Sequence, residues 1–103
     1  MQKADVFIED RLVGFLTKND KQYFFEYISN YEGNPISLTM PISQKRYEFD
    51  EFPAFFDGLL PEGIQLESLL KNNKVDRQDY LAQLIEVGED LVGNVTVRGV
   101  QSE

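Results

Sequence analysis

A chain of 103 residues supplies one hydrophobic core, and 42% hydrophobic residues with eight Phe and five Tyr are too apolar for a chain that must stay unfolded. Ten Lys and Arg against 18 Asp and Glu leave a formal charge of −8, a field that repels phosphate backbones and argues against direct nucleic-acid binding. With no Cys and no His, disulfides, thiolate nucleophiles, zinc thiolate sites and the commonest general base are all excluded.

The opening stretch, Met1 to Asp10, carries no apolar signal core, and no run of apolar residues is long enough to span a bilayer, so a cytoplasmic protein without a membrane partner is expected. Ala4 to Glu9 reads as a strand, Asp10-Arg11 as a turn and Leu12 to Leu16 as a second strand of the same hairpin. Strict alternation places Leu12, Gly14 and Leu16 on one face and Val13 and Phe15 on the other. Gly14, with no side chain to pack, predicts a bulge or a close backbone approach. After the polar turn Lys18 to Lys21, Gln22 to Ser29 alternates Tyr23, Phe25 and Tyr27 against Gln22, Phe24 and Glu26, giving a third strand. If part of this aromatic set faced away from the helices, it would form an exposed apolar patch of the kind that marks partner contacts.

Asn30 to Pro35 is rich in turn formers and predicts a loop. Ile36 to Met40 alternates and reads as a short strand ended by Pro41, while Ser43 to Glu51 reads as irregular. From Phe52 the period changes: Phe52, Phe55, Phe56, Leu59 and Leu60 recur at helical spacing, with Pro53 in the first turn. Pro61 and Gly63 break that helix, and Leu66, Leu69 and Leu70 form the stripe of a second, ended by Asn72 to Lys74. Asp76 is the expected N-cap of a third helix with Leu81, Leu84 and Ile85 inward and Gly88 as its stop. Asn94 to Arg98 is β-branched and reads as a returning strand, followed by a polar tail, Gly99 to Glu103. The order predicts a single α+β domain over residues 1–103, with a small antiparallel sheet of four to five strands and two or three short helices on one face.

Several constellations bear on chemistry. The GxxxxG skeleton from Gly88 to Gly93 lacks the Lys and Ser or Thr of a phosphate loop, with Asn94 and Val95 in those places and Glu89 and Asp90 repelling phosphate. It reads as a helix end turning into a strand. The acidic pairs Asp50/Glu51, Glu89/Asp90 and Asp57/Glu62 read as solvated surface, since nothing in their spacing forces two carboxyls into one cleft. Without an EF-hand pattern no metal is expected, and no cofactor. Lys71, Lys74 and Arg77 are the one basic cluster and offer little phosphate affinity within a chain of this charge. Phe52 to Leu66 is more apolar than one helical stripe needs and ends in Pro61-Glu62-Gly63, which predicts a rigid tip, Pro61 to Leu66, presented to a partner.

The segments Ser37 to Pro41 (SLTMP), Phe55 to Gly63 (FFDGLLPEG) and Val87 to Val97 (VGEDLVGNVTV) resemble, in order and separation, the N-terminal subdomain of HipA-type serine/threonine kinases. The resemblance implies that the nucleotide-binding, metal-binding and catalytic residues of such a kinase lie beyond the portion present here, so the chain is expected not to be an enzyme. It also implies a free polypeptide similar to the small antitoxin subunit of a split, HipBST-type bacterial toxin–antitoxin system. Such a subunit binds and neutralises a separate HipA-like kinase, alongside a HipB-like DNA-binding protein. Losing the covalent tether means replacing an effective concentration of roughly millimolar with intermolecular affinity. Nanomolar binding corresponds to about −12 kcal/mol. The residues expected to reach the kinase cleft, and to block substrate access or a closing motion, are Phe56, Asp57, Pro61, Glu62, Gly63, Ile64, Gln65 and Leu66. Two further readings are open: a non-catalytic subunit that completes, stabilises or activates the kinase, and an acidic DNA mimic that occupies a basic DNA-binding protein.

Overall fold

Three consecutive strands, β1 (Gln2–Ile8), β2 (Arg11–Asn19) and β3 (Gln22–Tyr27), form a meander joined by tight turns. The structure, a computed structural model, describes residues 2–89, 91 and 94–100. Glu9 and Asp10 both take positive φ (49° and 66°), the conformation that a two-residue hairpin of native twist requires, and the turn therefore falls one residue before the expected Asp10-Arg11.

A β-bulge interrupts the β1–β2 ladder between Val6 and Phe7: Val6 pairs with Gly14, Phe7 with Leu12, and Val13 is the extra residue. This corrects the strict alternation expected for β2. Val13 and Leu16 are both fully buried, whereas Phe15 lies on the opposite face under the ammonium of Lys3, 4.3 Å from its ring centroid. Gly14 is the close approach its position suggests, because a Cβ there would overlap the Glu26 carbonyl oxygen and fall 3.0 Å from the Phe25 ring.

On β3, Tyr23, Phe25 and Tyr27 are buried and Phe24 points the other way, so the aromatic set is mostly core and not an exposed patch. The open face of the sheet keeps Phe7, Phe15 and Phe24, each beneath a cation: Arg98, Lys3 and Arg46 respectively.

A fourth strand, β4 (Arg46–Phe49), pairs with β3 inside the stretch expected to be irregular. Ile36 to Met40, expected as a strand, is instead a run of turns and bends. Flanking prolines and local hydrogen bonds hold its backbone: the Met40 N–H donates to the Ser37 carbonyl (3.0 Å) and the Thr39 N–H to Ser37 Oγ (3.2 Å).

Helix α1 (Ala54–Asp57) is a single turn behind Pro53, much shorter than the Phe52 to Leu60 periodicity predicts. Gly58 is its C-cap and Leu59 and Leu60 continue as turns, so the apolar stripe folds onto the core without remaining helical. α2 (Gly63–Asn73) ends where Lys74 adopts the left-handed conformation. α3 (Tyr80–Glu86) is capped by Asp79, whose Oδ1 accepts from the Ala82 N–H at 3.1 Å. The expected cap, Asp76, instead accepts from the Gln78 N–H (2.7 Å) and shapes the preceding turn. Leu81 and Leu84 enter the core and Ile85 packs against it, as the spacing predicts. Helices α1 and α3 pack on one face of the sheet, and α2 lies beside α3.

β5 (Val95–Gly99) returns antiparallel beside β1, completing a five-stranded sheet in the order β4-β3-β2-β1-β5. The α+β antiparallel architecture is the one the element order predicts. Gly88 and β5 are in direct backbone contact: the Val97 N–H donates to the Gly88 carbonyl (2.9 Å), and a Cβ on Gly88 would overlap the Val97 carbonyl oxygen. That contact makes Gly88 a structural joint; of the phosphate-loop skeleton, Asp90, Val92 and Gly93 lie outside the described residues. In the expected tail, Gly99 closes β5 and the Val100 N–H donates to the Lys3 carbonyl (3.0 Å), while residues 101–103 lie outside the described residues.

Candidate partner-binding surface

Helix α2 is eleven residues long and contains no buried residue. A helix of this length is marginal on its own propensity and ordinarily owes its stability to a buried apolar face. Here Leu66, Leu69 and Leu70 are only half-buried, and polar contacts at the surface tie the helix to its neighbours. Arg77 pairs with Glu67 at 2.6 Å and the Asn73 amide donates to Glu86 Oε2 at 3.1 Å. Both groups of the Arg77–Glu67 pair are well exposed, so the pair is worth about 0–1 kcal/mol. It also removes Arg77 from any free basic cluster with Lys71 and Lys74.

Two grooves flank α2. One, of about 480 Å³, is mostly apolar and is lined by Leu59, Leu60, Pro61, Gln65, Leu69 and Leu91. The other, of about 310 Å³, gathers Asp57, Pro61, Glu62 and Leu66 against Tyr80 and Gln83. Gln83 is a buried polar residue whose side-chain amide donates to the carbonyls of Asp76 (3.1 Å) and Arg77 (2.9 Å). It fixes the turn that leads into α3 and so sets one wall of the second groove.

Of the residues singled out from the sequence, Asp57, Pro61, Glu62 and Leu66 meet around one groove and Gln65 lines the other. Gly63, at φ +59°, opens the helix, and Ile64 beside it is 88% exposed. The expected stiff tip from Pro61 to Leu66 is therefore a two-residue link, Pro61-Glu62, with Glu62 extended, followed by the first turn of α2. Phe56 is corrected: at 0% exposure it packs against Phe25 and Phe55 in the core and offers no surface to a partner. Sequence reasoning places Leu59 and Leu69 on helical stripes only and does not single out Tyr80 or Leu91. The Leu66/Leu69/Leu70 stripe marks the helix but not the grooves, which exist only once α2, the α1–α2 turn and the end of α3 converge.

Elsewhere, Asp50, Glu51 and Asp57 line a broad, polar depression of about 650 Å³ with Lys18, Tyr23 and Tyr80. Tyr23 has its hydroxyl pKa raised, first by burial and then by the negative charge of Asp79 and by Tyr80. Among the described residues no group of three or more Asp and Glu side chains is arranged to hold a metal ion. Glu89 pairs with Arg98 at 3.0 Å, and Asp90, the second member of that acidic pair, lies outside the described residues. Among the described residues no helix is long and apolar enough to cross a membrane.

The chain is 28% identical over 98 residues to an uncharacterized protein of Haemophilus influenzae, spanning 95% of this chain and 92% of that one. Its fold is similar to a solved structure described as the N-terminal domain of HipA toxin, with a TM-score of 0.82 and 25% sequence identity, covering 100% of this chain and 96% of that one. Residues 4–98 match the family model for the HipA N-terminal domain, and this chain belongs to that family.

Proposed function

We propose that this chain is a non-catalytic regulatory subunit that binds a separate HipA-like serine/threonine kinase through the α2 surface and neutralises it, as the antitoxin of a HipBST-type toxin–antitoxin system. In this reading the chain performs no chemistry, in keeping with a sequence that has neither His nor Cys. Membership of the HipA N-terminal domain family supports association with a HipA-like partner. In this reading a HipB-like DNA-binding protein shares the complex and the setting is cytoplasmic.

The observation that carries the reading is α2 itself, a helix with no buried residue, with three half-covered leucines and Ile64 bare in its first turn. Fully burying one such side chain is worth about 1.5–3 kcal/mol. Several together, with the groove beside them, supply the apolar centre a tight interface needs. The charge of −8 would speed encounter with a basic kinase surface more than it would strengthen the final complex.

Ile64→Asp tests this. Position 64 is the second residue of α2, where a carboxylate interacts favourably with the helix dipole, so the substitution spares the helix while placing a charge in the interface. The wild-type chain should co-elute with its kinase and Ile64→Asp should bind at least about tenfold more weakly, a loss of ~1.4 kcal/mol. Undiminished binding by Ile64→Asp would discard the α2 surface.

A further inference from the structure

Leu38 is 96% exposed, the barest large hydrophobic side chain among the described residues. A single leucine in water is ordinary on a protein surface. What is not ordinary is the scaffold beneath it. Two residues to either side, Ile36 and Met40 are buried, and the Tyr27 hydroxyl accepts from the Ile36 N–H (3.0 Å) and donates to the Met40 carbonyl. The Tyr31 hydroxyl donates to the Asn34 carbonyl (2.7 Å) and the Tyr47 hydroxyl to the Pro41 carbonyl (2.6 Å). Three tyrosines thus pin one loop, Pro35 and Pro41 stiffen its ends, and Ser37 and Thr39 are hydrogen-bonded to one another at 3.0 Å.

The second observation is electrostatic. Gly33 to Gln44 contains no charged residue, the longest such run in a chain that is 27% charged. Depletion of charge is the compositional mark of an interface centre. A loop backbone already fixed at both ends presents Leu38 without the ordering cost that a mobile loop would pay.

We infer that Leu38 is a second anchor, seated in an apolar pocket on the partner kinase; this rests on the kinase-binding reading given above. The occupant must present an apolar pocket, because nothing between Gly33 and Gln44 can form an ion pair. The competing occupant is a second copy of this chain, whose apolar groove beside Leu69 could accept a leucine. Two chains of −8 repel one another, and that favours the kinase.

The experiment measures dissociation constants of the full chain for its kinase, for wild type, Leu38→Ala, Leu38→Met and Ile64→Asp, with thermal midpoints and sedimentation of each chain alone. Leu38→Ala should bind about tenfold or more weakly, ~1.4 kcal/mol, with its thermal midpoint unchanged, and Leu38→Met should restore binding to within about threefold. If Leu38→Ala binds like wild type while Ile64→Asp does not, the second anchor is wrong and the kinase-binding reading stands. If wild type does not bind the kinase, both fall. A concentration-dependent dimer of wild type that Leu38→Ala abolishes would assign the knob to a second copy and overturn the inference.

Discussion

The Tyr27 hydroxyl donates to the carbonyl oxygen of Met40, thirteen residues further along the chain, and it also accepts from the Ile36 amide. One core side chain of β3 therefore closes both ends of the loop that carries Leu38. Tyr27→Phe removes the hydroxyl and leaves a buried N–H and a buried carbonyl without a partner, at a cost of about 1–3 kcal/mol. Tyr47→Phe, which removes an exposed bond to Pro41, should cost about 0.5–1.5 kcal/mol. Urea denaturation of the two variants checks the order, and equal midpoints would contradict it.

Phe56 and Asp57 are adjacent in sequence and have opposite fates. Phe56 is enclosed by the sheet and α1, so Phe56→Ala should cost about 3–5 kcal/mol. Asp57 faces solvent at the edge of a groove, and Asp57→Ala should change stability by no more than about 0.5 kcal/mol. Chemical denaturation of both variants separates the support of the surface from the surface itself.

Alkaline pH should destabilise the fold through Tyr23 and Tyr27. Burial is the first cause of the raised pKa of each; at Tyr27 the hydrogen bond from the Ile36 amide partly offsets it. A hydroxyl that holds its proton more tightly when folded contributes stability that is fully present below the unfolded value of about 10. That contribution is lost as pH rises through the higher folded values. Tyrosinate absorbance should lag in the folded protein, the urea midpoint should fall above about pH 10, and Tyr23→Phe should remove part of that fall.

How much of this could be read from the sequence depends on the range of the forces involved. The meander, the α2 and α3 stripes and the closing strand follow from local periodicity, and the structure keeps them. β4 is only four residues, alternating charged Arg46 and Glu48 with Tyr47 and Phe49, and it becomes a strand because the β3 edge offers it partners. Ile36 to Met40 has the alternation of a strand, yet Tyr27 supplies hydrogen bonds that a ladder would otherwise provide. The β2 bulge reverses one step of the alternation and brings Val13 inward, an outcome decided by pairing with β1. Around α2 the helix is legible in the sequence and the division of residues between core and solvent is not. Periodicity alone does not tell Phe56, which the core consumes, from Ile64, which the fold leaves bare.

The central claim is tested most directly by following autophosphorylation of the HipA-like kinase while this chain is titrated in. The account predicts a fall in rate that saturates at a fixed ratio of chain to kinase and is lost with Ile64→Asp. A rate that rises, or one that stays level while the two proteins demonstrably bind, would contradict it.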